Sequence, residues 1–382
     1  MKQTSWLIAA ALAAAAWLAC PVRAEPFPEL DDAPAGGLAA LEQTATASPA
    51  DAPIAIKLAK LYRKLGYDDK AEKLYLRLLS PSSPTGSADR AEACNGLGFI
   101  YETRKDYPRA MEQYQQALQL RPTWSRPLMH IACCQMDQGD YEAAQNSLKA
   151  AMQADPGDAS VRNCRGILFS KMSEPEAAEA EYRAAIRLRP GWAGPVWNLV
   201  LLLDAQGEYR ESDKYLDRLL ELNPDHLDAL YVRVQHLVGG RDYSSAEREA
   251  RNMVARFPDR AEAHEALGMA LWSREDMEGA EAAFRKALEL DPKSAGAYLG
   301  LGHVRMQQKR YGEAEEHYKR ALAIDPGIME SRKGYEQAKR AREHERIGGG
   351  CSAAPSFATV TPLGPLQCLC VIIPVVLRRR RG

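Results

Sequence analysis

Seven prolines recur at a fixed interval of 34 residues, and this spacing constrains the fold more than any other feature of the chain. A constant period of this length is typical of proteins built from stacked repeats, in which each repeat buries its apolar face against its neighbours. The spacing therefore predicts a repeat architecture and favours the binding of partners over catalysis. The prolines are Pro122, Pro156, Pro190, Pro224, Pro258, Pro292 and Pro326.

Between the prolines, apolar residues recur at steps of three and four, which is the spacing of one face of a helix. In the repeat that begins at Ala91, a first stripe contains Leu97 and Tyr101, and a second contains Ala110 and Tyr114. A short polar break separates the two stripes. Each repeat is therefore predicted to be a helix, a turn and an antiparallel helix, and the chain is predicted to be all-α.

Glycine recurs at one slot of the first helix, at Gly98, Gly166, Gly268 and Gly302. Glycine inside a helix costs about 1 kcal/mol relative to alanine, so its recurrence needs a packing reason. Small residues at this slot allow two helices to approach closely, with an aromatic side chain such as Tyr114 in the groove.

The order of these slots, with Leu-Gly, Tyr, Gly-x-Tyr-x-x-Ala, an aromatic residue, Ala and Pro within 34 residues, resembles the tetratricopeptide repeat. The match runs from Ala91 to Pro326, and one further repeat begins at Ala52. The resemblance implies a right-handed solenoid of about eight helix-turn-helix repeats over residues 52–326, followed by a capping helix over 327–347. It also implies a groove lined by the first helices.

The N-terminal segment has the pattern of an export signal. Residues 1–24 contain a positive start, an apolar core too short for a membrane span and a small-residue cleavage site that ends at Ala24. The alternative is a lipoprotein site at Cys20. Residues 25–51, rich in Pro, Ala and Asp, are predicted to be a linker, with a partial helix over 39–43.

The C-terminal segment, residues 348–382, combines a Gly/Cys motif, an apolar run over 363–377 and an arginine cluster over 378–381. It resembles bacterial C-terminal sorting signals of the GlyGly-CTERM and MYXO-CTERM kind, which implies processing near Gly350 or Cys351 and at least transient contact with the membrane. The alternative is a permanent membrane anchor. Both ends predict an exported protein of a Gram-negative bacterium, located in the periplasm, on the outer surface or tethered to a membrane.

The composition argues against two functional classes. The chain has 382 residues and a formal net charge of −1, so it has no basic surplus with which to neutralise nucleic-acid phosphates. The sequence contains no glycine-rich phosphate loop, no Gly-x-Ser-x-Gly motif and no His-Glu-x-x-His motif. We therefore predict a protein without catalytic residues or cofactors.

Four cysteines lie in the repeats: Cys94, Cys133, Cys134 and Cys164. Export to an oxidising compartment permits pairing, and Cys133 and Cys164 lie on the first helices of adjacent repeats, which makes them a candidate disulfide. The alternative is that they are small buried thiols. A metal site formed by His130 and the neighbouring cysteines lacks a paired Cys-x-x-Cys motif, so no metal is predicted.

The exposed slots of the first helices are predicted to line the groove. They are rich in methionine and aromatic residues, which suits an extended segment or an amphipathic helix of another protein. The alternative for each residue is packing against the neighbouring first helix. The predicted partner-binding residues are Phe99, Met129, Met136, Trp197, Asn198, Leu201, Tyr231, Met269, Trp272, His303 and Met306.

These observations together predict a non-catalytic protein–protein interaction scaffold of the bacterial cell envelope. Its partner would be an envelope protein that places a peptide or a helix in the groove. Two alternatives remain open. One is a structural protein of the cell surface, and the other is a glycan-binding subunit of a polysaccharide export assembly, with Trp197, Tyr231 and Trp272 as stacking platforms.

Overall fold

A computed structural model describes residues 37–48 and 50–348 of the chain. The predicted export signal with Ala24, and the predicted sorting signal with Gly350 and Cys351, lie outside the described residues. Within them, the regular structure consists of eighteen α-helices and no strand. The prediction of an all-α chain is therefore confirmed for the part that the structure describes.

The chain divides into two compact units, with the boundary between Leu199 and Val200, inside a helix. In the first unit the helices are α1 (Gly37–Ala47), α2 (Ala52–Lys64), α3 (Asp68–Leu79), α4 (Ser87–Thr103), α5 (Tyr107–Leu120), α6 (Ser125–Asp137), α7 (Tyr141–Ala154), α8 (Ala159–Lys171) and α9 (Pro175–Leu188). The boundary lies in α10 (Ala193–Gln206). In the second unit the helices are α11 (Tyr209–Leu222), α12 (Leu227–Gly239), α13 (Tyr243–Arg256), α14 (Ala261–Ser273), α15 (Met277–Leu290), α16 (Ala295–Gln307), α17 (Tyr311–Ile324) and α18 (Met329–Gly348).

The sequence specifies where the second helix of a repeat begins. Asp106 precedes α5 and accepts a hydrogen bond from the backbone N–H of Arg109, while Asp276 precedes α15 and accepts one from Gly279. Such caps satisfy backbone donors that the first turn of a helix leaves without a partner. The polar break between the two apolar stripes therefore acts as a helix stop followed by a helix start.

The recurrent glycines are required by aromatic packing. A Cβ atom at Gly98 would lie 2.6 Å from the ring of Tyr114, and one at Gly268 would lie 2.7 Å from the ring of Phe284. Because both rings are buried, they have little room to move away. This is the packing that the sequence leads one to expect.

The segment predicted to be a linker is partly helical. Residues Gly37–Ala47 form α1, which is longer than the partial helix expected over 39–43. Its apolar side chains pack against α2, and the Tyr62 hydroxyl donates a hydrogen bond to Glu42 at 2.6 Å. The apolar face of the first repeat is thereby covered, which is why this stretch folds although its composition is typical of a linker.

At the other end of the repeats, α18 covers the last apolar face. Ile328 and Ala338 are buried against the Tyr318 ring, and a Cβ atom at Gly334 would lie 2.5 Å from that ring. None of the helices in the described part of the chain combines the length and hydrophobicity that a membrane span requires.

Candidate functional site

The first helices of the second unit present a row of half-buried aromatic and methionine side chains. Tyr231 lies on α12, Met269 and Trp272 lie on α14, and His303 lies on α16. Neighbouring first helices pack against each other, α12 against α14 and α14 against α16. Together with Glu265 on α14, these residues form what we call the α12–α16 face.

The aromatic part of this face is ordered by ring contacts. The Trp272 and His303 ring centroids are 5.3 Å apart, and His303 Nδ1 lies 3.0 Å from the Tyr318 hydroxyl. Burial lowers the pKa of His303 to about 4, so the ring is neutral at pH 7. The indole N–H of Trp272 is buried and has no hydrogen-bond partner among the described residues. His303 is therefore a neutral packing partner of Trp272.

Glu265 brings a buried carboxylate to the same face. Its side chain is only 9% exposed, and its one hydrogen bond within the described chain comes from the Ser294 hydroxyl. Burial raises the pKa of Glu265 to about 7, and the nearby carboxylates of Glu262 and Asp291 act in the same direction. No lysine or arginine of the described residues forms an ion pair with it.

A second carboxylate of this region is also short of positive charge. Burial raises the pKa of Asp228 to about 6, the carboxylate of Glu262 adds to the rise, and the Arg260 guanidinium opposes it. Arg260 is itself paired with Glu262 at 3.0 Å. Negative charge thus exceeds positive charge along this edge of the face.

Leu201 and Met306 are the remaining predicted binding residues of the second unit, and both are half-buried. Met306 packs against the core around Tyr318, so only part of its side chain is available to a partner. Both residues lie on first helices, as the sequence leads one to expect. Glu265 falls in a first-helix slot that the sequence also assigns to the groove, but its burial without a cation could not be predicted from the sequence.

The predicted binding residues of the first unit divide into two groups. Met129 and Met136 are only 5% and 3% exposed, so little of either side chain is accessible to a partner, contrary to the expectation that they are exposed in the groove. Both lie on α6, which packs against the first helices α4 and α8 of the adjacent repeats and loses its exposed face to those contacts. Phe99 is half-buried, beneath the Arg63 guanidinium at 3.8 Å from the ring centroid.

Trp197 and Asn198, on α10, are also half-buried. The Asn198 amide donates a hydrogen bond to Asn163 at 2.9 Å, so this predicted contact has a partner within the chain. Arg63, in contrast, was not predicted as a site residue, because a cation–π contact between repeats cannot be seen in the sequence of either repeat.

Each unit also contains a cluster of a histidine with carboxylate side chains. In the first unit, Glu102 accepts a hydrogen bond from the Tyr114 hydroxyl at 2.6 Å and lies 3.1 Å from His130 Nδ1. In the second unit, His236 lies 3.1 Å from Asp204 and 2.7 Å from Asp213.

Burial alone would lower the pKa of His236, but the carboxylates of Asp204 and Asp213 together raise it to about 9. The imidazole is therefore charged at pH 7 and balances the buried Asp204. Glu102, His130 and Asp204 are buried, whereas Asp213 is exposed. The buried members of both clusters balance charge and satisfy hydrogen bonds within the fold.

The cysteines of the repeats are thiols in this structure, and all four are buried. Cys133 Sγ lies 3.4 Å from Cys164 Sγ. Within the described residues, no three side chains of His, Cys, Asp or Glu are placed so that they could hold a metal ion.

Models of the family described as tetratricopeptide repeat match residues 55–87, 102–168, 198–237, 231–295 and 271–329, which is more than half of the chain. No curated protein sequence matches this chain.

Among solved structures, the APC/C hetero-tetramer Cut9–Hcn1 is 14% identical, with a TM-score of 0.51, 79% of this chain covered and 52% of that chain covered. This chain thus spans about half the length of that relative. Yeast Tom70 is 17% identical, with a TM-score of 0.47 and coverage of 90% and 71%. YrrB, described as a TPR protein with an unusual peptide-binding site, is 21% identical, with a TM-score of 0.33 and coverage of 51% and 97%.

The family matches, the helix-turn-helix repeats and the fold shared with Cut9–Hcn1 agree. Such an array of repeats is the architecture of a protein–protein interaction scaffold. The chain belongs to the tetratricopeptide repeat family.

Proposed function

We propose that this chain is an exported, non-catalytic scaffold of the cell envelope, and that its α12–α16 face binds a segment of a partner protein. The observation that carries the proposal is the combination of half-buried Tyr231, Met269 and Trp272 with a carboxylate, Glu265, that has no cationic partner among the described residues. Aromatic side chains supply contact area at low entropic cost, methionine adapts its shape to the partner, and the buried carboxylate supplies specificity.

The charge of this face defines the chemistry of the partner. A lysine or arginine side chain would compensate Glu265 and the neighbouring Asp228, while apolar residues on either side would contact Tyr231 and Trp272. We therefore expect a segment in which a basic residue is flanked by apolar ones, bound as an extended strand or an amphipathic helix. An acidic segment would be repelled.

Export is supported by the two ends of the sequence. The expected mature protein begins after Ala24 and ends near Gly350 or Cys351, and membrane contact is restricted to the C-terminal segment. Mass spectrometry of the protein from envelope and medium fractions tests this directly. A full-length chain that retains residues 1–24 in the cytoplasm would contradict export, and an intact C-terminus in the membrane would favour an anchor over sorting.

The binding proposal is tested by affinity purification of the exported chain, with Trp272→Ala compared to the wild type. Leu222→Ala is the matched control, because Leu222 is an exposed apolar residue at the end of α11. We expect one or more envelope proteins to be reduced at least tenfold by Trp272→Ala and retained by Leu222→Ala.

Thermal unfolding monitored by circular dichroism verifies that both variants fold. Unchanged recovery of every co-purifying protein in folded Trp272→Ala would contradict the proposal. Quenching of tryptophan fluorescence by an oligosaccharide, without any protein partner, would instead support the glycan-binding alternative.

A further inference from the structure

Two buried thiols face each other across a boundary between repeats. Cys133 lies on α6 and Cys164 on α8, the first helices of adjacent repeats in the first unit, and these helices pack against each other. The two Sγ atoms are 3.4 Å apart, and both side chains are buried. No substrate or partner is needed to bring them together, because repeat packing alone fixes their separation.

The other two cysteines of the repeats have different surroundings. Cys134 packs in the core with Ala110 and Tyr114, on the side of α6 that meets α5. Cys94 has an amide as its neighbour, with Gln116 Oε1 at 3.9 Å from its sulfur. Cys133 and Cys164, in contrast, face each other with their sulfur atoms in contact.

We infer that Cys133 and Cys164 form a disulfide that joins the two repeats when the chain folds in the presence of a disulfide donor. A disulfide bond is about 2.05 Å long, so the sulfur atoms must approach by about 1.3 Å, a movement that small rotations of the two side chains can supply.

In the first step, a thiolate of one cysteine attacks the donor disulfide and displaces a donor thiolate. The second cysteine then attacks the mixed disulfide, releases the second donor sulfur and closes the protein bond. The two cysteine thiols lose two electrons and two protons, and the donor disulfide gains them as two thiols.

The timing of this exchange follows from burial. Within the folded repeats, the hydrogen bond with Cys164 and burial raise the pKa of Cys133 well above its ordinary value, so little thiolate exists at neutral pH. Exchange is therefore expected while the repeats dock and slow after they have packed. The same burial protects the finished bond from external reductants.

The consequence is a covalent tie between α6 and α8 that does not depend on partner binding. It closes a loop of about thirty residues, which lowers the entropy of the unfolded chain and stabilises this pair of repeats. The redox state of Cys133 and Cys164 would also indicate the compartment in which the chain folded. Folding in the cytosol leaves thiols, whereas folding in an oxidising compartment yields the disulfide.

The test is refolding of the reduced full-length chain in a buffer of reduced and oxidised glutathione, followed by alkylation of free thiols in denaturant and peptide mapping. We expect a disulfide between Cys133 and Cys164, with Cys94 and Cys134 alkylated. Cys134→Ala should keep this bond, whereas Cys133→Ala and Cys164→Ala should lose it. Free thiols at both positions after refolding, or a bond that includes Cys134, would overturn the inference.

A measurement on the wild type alone covers the case in which a variant does not fold. The oxidised chain should unfold roughly 5–10 °C above the same chain reduced in denaturant and refolded without donor. The bond should survive several minutes of dithiothreitol in buffer and be lost in denaturant. Equal unfolding temperatures of the oxidised and reduced forms would contradict a stabilising disulfide between the repeats.

Discussion

The two units are built from the same repeat, yet two polar residues in the same slot, Asn163 and Glu265, have different partners. In the first unit, Asn163 pairs with Asn198 of the neighbouring repeat at 2.9 Å. In the second unit, Glu265 occupies the slot equivalent to Asn163 but receives only a hydroxyl from Ser294, and burial raises its pKa to about 7. The repeat pattern thus determines the backbone and the aromatic packing. The slot of Asn163 and Glu265 can hold either a polar group that is paired within the chain or one that suits an external partner.

The difference between the two units is tested most strongly by replacing the histidine of each cluster with leucine. His236→Leu leaves the buried Asp204 without its charge partner and should lower the free energy of unfolding of the second unit by about 3–5 kcal/mol. His130→Leu should cost about 1–3 kcal/mol in the first unit, because Glu102 keeps its hydrogen bond from Tyr114. Urea unfolding followed by hydrogen exchange and mass spectrometry assigns each loss to its unit. Equal losses would show that the clusters are equivalent.

Replacing the recurrent glycine with alanine adds a methyl group next to the aromatic ring and should lower the stability of the two units by similar amounts. Gly98→Ala and Gly268→Ala would bring a Cβ atom to 2.6 and 2.7 Å from the Tyr114 and Phe284 rings. We expect each to lower the free energy of unfolding by about 1–3 kcal/mol through overpacking.

Gly191→Ala is the control for these two variants. No atom lies within 4 Å of a Cβ at that position, so its effect should stay within about 0.5 kcal/mol. Thermal or urea unfolding measures all three. If Gly98→Ala lowers the free energy of unfolding no more than the control does, close packing between Gly98 and the Tyr114 ring does not stabilise the repeat.

The pH dependence of stability distinguishes Glu265 from the rest of the second unit. Its folded-state pKa, about 7, lies above the ordinary value of 4.5, so the folded chain holds this proton more tightly than the unfolded chain does. Its contribution to stability is therefore lost as the pH rises from about 4.5 to 7. Glu265→Gln removes this loss, so the variant should gain stability relative to the wild type across that window and keep the gain above it.

Deprotonation of His236 likewise lowers the stability of the folded chain, but at higher pH. Its folded-state pKa is about 9 against an ordinary 6.5, so its stabilisation is complete below about pH 6.5 and is lost as the pH rises through 9. Urea unfolding of Glu265→Gln and the wild type at pH 5, 7 and 9 measures both effects. A difference between the two proteins that does not change from pH 5 to pH 7 would contradict the account of Glu265.

The sequence predicted the repeats well because their signals are local. The proline period, the helical spacing and the small slot at Gly98 and Gly268 depend on residues within one repeat or its immediate neighbour. These features are enough to predict an all-α chain of helix pairs and the contact of each glycine with an aromatic ring.

The site was harder to predict because exposure depends on contacts between repeats. Met129 and Met136 have the residue type of a binding surface, but the neighbouring first helices bury them. Neither the isolation of Glu265 from cations nor the pairing of His236 with two carboxylates could be read from the order of residues. The helix Gly37–Ala47 was predicted only in part, over 39–43, because its full length depends on packing against the first repeat rather than on its own composition.

The most direct test of the binding role is photo-crosslinking in cells from a photoreactive amino acid at position 269, on the α12–α16 face. The matched control places it at Arg248, an exposed residue on the second helix of the preceding repeat. We predict a discrete protein adduct from position 269 that is absent from position 248 and weakened by Glu265→Gln. No adduct from position 269 in a folded, exported chain, or the same adduct from both positions, would contradict the claim that this face holds the partner.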